Sequence, residues 1–95
     1  MGTIAARKAR TILEHVETVI GIELMCATQA LDLRRPLKAN AGIEAAHTRV
    51  RRDIAPLDDD RFLQADIETA VQLVSSGDIL NAVEDVVGRL DGSRP

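Results

Sequence analysis

The sequence predicts an all-α fold: one long helix and about three shorter ones, forming part of a helical bundle completed by oligomerisation. Three observations predict it. Apolar residues recur at helical spacing throughout, and neither sustained alternation of period two nor an Asn-Gly or Asp-Gly turn marks a strand. Helix-stopping prolines and glycines divide the 95 residues into one long and three short segments. Phe62 is the only aromatic residue, so a core of large rings cannot be built from this chain and must be completed by something else.

The first helix is expected over 3–33, with Thr3 as its N-cap. Ala5, Ala9, Ile12, Val16, Val19 and Ile20 form one stripe, and the opposite face is polar as far as Thr18. From Val19 to Leu33 the chain is apolar nearly all round, which implies burial on every side. About 30 residues make a rod of about 45 Å. A compact domain of this length is only about 32 Å across, so the helix overhangs its own domain. Arg35-Pro36 ends it, because proline disfavours helical geometry in the preceding residue.

A loop to Asn40 leads into a second helix over 41–54, its stripe Ile43, Ala46/His47, Val50 and Ile54, stopped by Pro56. Leu57-Asp58-Asp59-Asp60-Arg61 reads as a polar turn. The third helix is expected over 65–75, with Ile67, Ala70, Val71 and Val74 inward and Gly77 just past its end. The fourth is expected over 78–90, with Ile79, Val83, Val86/Val87 and Leu90 on one face, followed by a frayed tail over 91–95. The whole chain reads as a single helical segment, 1–95.

Composition excludes several classes. The net charge of −3 and the shortage of stacking rings argue against nucleic acid as a partner. No apolar run is long enough for a membrane span, and no signal core follows Met1, so no membrane partner is expected. A single cysteine, Cys26, forms no internal disulfide and no cysteine-based zinc site, and the cytoplasm is the expected compartment.

Each chemically suggestive residue has two readings. Glu23, in the apolar half of the first helix, is a general base or, preferably, a carboxylate paired with an arginine of a neighbouring helix. His47 is a catalyst or, preferably, a core histidine with one satisfied hydrogen bond; His15 reads as solvated. Asp58, Asp59 and Asp60 lack the glycine and glutamate of a calcium loop and read as an acidic turn facing Arg51, Arg52 or Arg61. Arg34, Arg35, Arg49, Arg51 and Arg52 complement the negative ends of helix dipoles. Arg7, Lys8 and Arg10 crowd the positive end of a helix, so they face an anion there or form salt bridges to Glu14 and to acids of other chains. Cys26 reads as a buried, inert thiol. No Gly-rich phosphate loop, GxSxG elbow or HExxH occurs, and no cofactor or metal site is expected.

The order of the segments MGTIAARKAR, VETVIGIELMCATQALDLRRPLK and GIEAAHTRVRRDIAPLDDDRFLQADIETAVQLVSSG is specific. It closely resembles the C-terminal segment of the histidine ammonia-lyases, in the aromatic amino-acid lyase family, over about Met1 to Val87. IEL-x3-TQALDLR resembles a helix end of that family, and P-L-x-x-D-R-x-L-x-x-D-I-E its closing segment. The resemblance implies an almost wholly helical homotetramer with long central helices. It also implies a parent reaction, the non-oxidative deamination of L-histidine to urocanate and ammonia. The family's electrophile is a methylidene-imidazolone made from an Ala-Ser-Gly tripeptide, encoded outside this segment.

This chain departs from that pattern. It has no Ala-Ser-Gly and no tyrosine, and it starts at the methionine that follows the family's Glu-Asp-His-Val-Ser run. No catalytic residue carries over. By resemblance, Met1, Gly2 and Thr3 border the active site. The leading expectation is a C-terminal scaffold fragment, inactive alone, that associates as a dimer or tetramer through the first helix and with the remainder of a lyase. The alternatives are a stand-alone helical interaction protein and a small all-α enzyme of chorismate-mutase type.

Overall fold

The computed structural model describes residues 2–57 and 61–90. Four helices follow in order: α1 (Gly2–Leu33), α2 (Ala41–Asp53), α3 (Gln64–Ser75) and α4 (Asp78–Val87). Among the described residues there is no strand, as the periodicity requires. The acidic run Asp58–Asp60 and the tail 91–95 lie outside the described residues.

Local chemistry sets most boundaries. Arg35-Pro36, a cis peptide, follows the last turn of α1. Asn40 caps α2, its side chain accepting from the Ile43 N–H at 3.0 Å. Gly77 has φ of 83°, the left-handed geometry that lets the chain leave α3 and enter α4 at once. Two boundaries differ from expectation. Thr3 is no N-cap, because α1 already includes Gly2. The fourth helix stops at Val87 instead of running to residue 90, because Gly88 takes φ of 88° and closes the last turn on Glu84.

The helices pair crosswise. α3 lies along α1, α2 lies along α4, and the remaining contacts are fewer. Glycines make both close approaches possible. A Cβ on Gly21 would stand 3.1 Å from the Val71 backbone nitrogen, and one on Gly42 3.1 Å from Val87 Cγ1. Val50 of α2 and Ile54, the residue that caps its end, meet Ala70 and Leu73 of α3 in the core, with Leu24, Met25 and Ile79 packed around them.

This core is small and the body is thin. The molecule measures 54 × 45 × 17 Å with a radius of gyration of 15.6 Å. A compact chain of this length has about 12 Å. Its accessible surface of 7005 Å² exceeds by about 1,600 Å² the roughly 5,400 Å² of a compact monomer of this mass.

Much of that surface is apolar, and the described residues of one chain do not supply the all-round burial expected of Val19–Leu33. Between Val19 and Leu33 only Gly21 and Thr28 are buried; Val19, Ile20, Ile22 and Leu33 are exposed. The stripe Ala5, Ala9, Ile12, Val16, Val19 and Ile20 is likewise uncovered. The reason is geometric: α3 covers one side of α1, and among the described residues no other element covers the far side. Phe62 is 85% exposed and Ile43, Val86, Val87 and Leu90 are also exposed, while Leu73, absent from the expected stripe of α3, is buried.

Candidate functional site

The richest chemistry lies where the end of α1 meets α2. Asp32 sits one turn before Pro36, on the side of α1 facing α2. Its Oδ1 lies 2.6 Å from His47 Nε2, and its Oδ2 accepts from Arg51 Nε at 2.8 Å. Arg51 also donates to the Ile54 carbonyl at 3.0 Å and to Gln29 Oε1 at 3.3 Å. Gln29 in turn clasps the backbone of Leu57, accepting its N–H at 3.0 Å and donating to its carbonyl at 3.3 Å. One carboxylate, one amide and one guanidinium thus tie α1, α2 and the following loop together.

A second clasp closes the α1–α2 loop. Arg35 makes a bidentate pair with Glu44, both contacts at 2.8 Å, and the Ala39 N–H donates to the same carboxylate at 2.9 Å. These hydrogen bonds lower the Glu44 carboxyl to about 2. Burial pushes Asp32 up, but the hydrogen bonds and charges of Arg51 and His47 outweigh it and hold the carboxyl below its ordinary value.

Electrostatics decides what this junction can do. Asp32 is ionised at neutral pH, and both its oxygens are engaged. A carboxylate so occupied is a fastener, not a proton acceptor. His47 is accordingly a half-buried histidine with a satisfied hydrogen bond, as its place on the apolar stripe indicates. Among the described residues no group of His, Cys, Asp and Glu could hold a metal ion.

Arg49, expected to complement a helix dipole, and Arg61, expected to face the acidic turn, have specific tasks among the described residues. Arg49 bridges Asp53 and Asp78 at 3.0 Å each, linking α2 to the start of α4. Arg61 binds Asp66 at 2.8 Å and the carbonyls of Ala55 and Pro56 at 2.7 and 3.0 Å. Sequence reading missed these partners, which stand up to 29 positions apart. Only the abundance of paired charges in the second half of the chain hinted at them.

Beside the junction lies an apolar cavity of about 310 Å³, with Met25, Cys26, Ala30, Ile54 and Leu63 in its walls and Arg51 and Arg61 at its polar side. Cys26 is exposed there, not buried as expected, because the residues that share the cavity with it leave it open to solvent.

The residues singled out at the start of α1 are spread over solvent. Gly2, Thr3, Arg7, Lys8 and Arg10 are all exposed, and Met1 lies outside the described residues. Arg7 and Lys8 share a shallow surface depression with His15, which the sequence did not group with them; Arg10 does not line it. Among the described residues Glu23 has neither the arginine partner expected of it nor burial. The expected salt bridges to Glu14 are not formed within the chain's described residues either.

Residues 1–52 match the family described as aromatic amino acid lyase. The chain belongs to that family. A histidine ammonia-lyase of Natranaerobius thermophilus is 47% identical to this lyase-family chain over 90 residues, which is 95% of the chain and 18% of the relative. Histidine ammonia-lyases of Gloeobacter violaceus and Sorangium cellulosum are 47% and 44% identical over 91 residues, 96% of the chain and 18% of each relative. The chain therefore spans about a fifth of the length of the lyases it matches. No solved structure matches it. No helix among the described residues is long and apolar enough to cross a membrane.

The family resemblance implies a methylidene-imidazolone, and the residues of this chain do not fit that group. Its Ala-Ser-Gly precursor is absent from the sequence, as is any tyrosine. The clasped Asp32 and His47 offer no replacement electrophile.

Proposed function

We propose that this chain is the C-terminal scaffold of a histidine ammonia-lyase-like enzyme, working through helix packing and subunit association in the cytoplasm. The observation that carries the reading is the match itself: 47% identity along 95% of the chain, against 18% of the relative. Two features of the structure support the reading. Its charged side chains fasten helices to one another, and the long helix leaves apolar surface for other helices to cover. The parent reaction is the deamination of L-histidine to urocanate and ammonia, and the electrophile for it is supplied by another part of the enzyme. The chain alone is inactive, and its partners are further copies of itself and the remainder of the lyase. Family membership leaves the chorismate-mutase-type alternative without support.

The test uses urocanate absorbance. The purified chain with L-histidine gives none. Mixed with the remaining four-fifths of a matching lyase, produced separately, it forms a complex and activity appears. Urocanate formed by the chain alone overturns the proposed inactivity. Failure to bind the remainder overturns the scaffold role.

A further inference from the structure

The uncovered side of α1 carries a charge pattern that specifies its partner. At about 100° per residue, Ala5, Lys8, Ile12, His15, Val19, Glu23 and Cys26 fall on one seam, with Val16 along its edge. Gly21 and Thr28, the residues buried against the rest of the chain, face away from it. Every seam residue is exposed. Glu23 is the sole acid on this apolar seam and has no partner among the described residues; Lys8 and His15 are its only bases.

We propose that this seam binds the same seam of a second copy in antiparallel register, with Lys8 of each chain paired to Glu23 of the other. The proposal rests on the subunit-association reading and adds orientation and register to it. Two arguments on charge select the arrangement. A parallel pair in register sets Glu23 against Glu23 and Lys8 against Lys8, whereas the antiparallel pair satisfies all four and opposes the helix dipoles. The same register then matches the apolar side chains without adjustment. Ile12 meets Val19, Ala5 meets Cys26, and His15 and Val16 sit at the twofold axis, an isologous contact. The start of the second α1 arrives beside Met25 and Cys26, at the wall of the apolar cavity. Lys8 is thereby assigned to a carboxylate of a second copy and not to a free anion.

Because Cys26 is the only cysteine, cross-linking reads the register directly. The full chain carrying Ala5→Cys is oxidised at low concentration, and its disulfides are mapped by peptide mass spectrometry. Bonds between position 5 of one chain and position 26 of another are expected, with light scattering showing a dimer or a multiple of it before oxidation. Links of Cys26 to Cys26, or an associated protein that forms no link between 5 and 26, overturn the register while leaving subunit association standing. A folded monomer overturns both. Charge exchange is the second arm. Lys8→Glu and Glu23→Lys each weaken association roughly tenfold or more, and the double variant recovers most of it. Equal loss in single and double variants overturns the ion pair.

Discussion

At the scale of single residues, the chain is held by carboxylates whose charge is protected. Glu44 is lowered to about 2 from an ordinary 4.5, and Asp32 is lowered as well, each by guanidinium partners. A carboxylate with a depressed folded value contributes stability that is complete above its unfolded value and is lost as pH falls towards the folded one. The loss therefore begins below about pH 4.5 and continues towards pH 2. Denaturant titrations between pH 7 and 2.5 are expected to show falling stability in that window, and Glu44→Gln is expected to flatten the fall. An unchanged acid profile in that variant contradicts the assignment. Asp32→Asn has a different signature. It leaves the largely covered Arg51 and His47 without their shared anion, at a cost of about 1–2 kcal/mol at pH 7. Arg51→Lys keeps the charge but loses the fork that reaches Asp32, Gln29 and Ile54 together, so it is expected to recover little.

At the scale of elements, two glycines make contrasting predictions. Gly21 is limited by packing: a Cβ there stands 3.1 Å from backbone and 3.2 Å from a side-chain carbon of Val71. Gly21→Val forces α3 away from α1 and is expected to cost ~1–3 kcal/mol in chemical denaturation. Gly77 is limited by backbone alone, with nothing within 4 Å but φ of 83°. Gly77→Ala is expected to cost about 1 kcal/mol and to leave the α1–α3 contact in place. If the two variants lose the same α1–α3 contacts by NMR, the distinction fails. The same glycines show what the sequence made legible. Helix number and most ends followed from Pro36, Pro56 and Gly77, which act on their immediate neighbours. Gly88 also acts locally, but the apolar Leu90 in helical phase beyond it masked the stop. Pairing of α1 with α3 and α2 with α4 was not legible, because it depends on Gly21 and Gly42 meeting residues about 45 to 50 positions away. The partners of Arg49, Arg51 and Gln29 were hidden for the same reason. His47 was readable because its stripe is local; Cys26 and Glu23 were misread because their surroundings depend on what covers α1.

At the scale of the whole molecule, the long helix poses a stability problem that the proposed association would solve. Residues 2–16 of α1 are all exposed and touch no buried core, so only their own hydrogen bonds hold them helical. An isolated helix of about that length is marginal in water. The core residues Val50, Ile54, Ala70 and Leu73 support the other end, at Leu24 and Met25. In a monomer, the first half of α1 therefore opens without unfolding the rest. Covering the seam stabilises that half and, by mass action, the folded state as a whole. Two observables follow. The thermal midpoint rises with protein concentration, which a self-contained monomer does not show. Amide exchange over residues 4–18 is fast at high dilution and slows as concentration rises, while the amides of α2 and α3 around Val50 and Leu73 change far less. Protection of residues 4–18 that is independent of concentration would contradict the account, because among the described residues nothing buries them. Lys8→Glu supplies the internal control: it keeps the 4–18 amides fast at concentrations where the unaltered chain protects them, without altering exchange around Leu73.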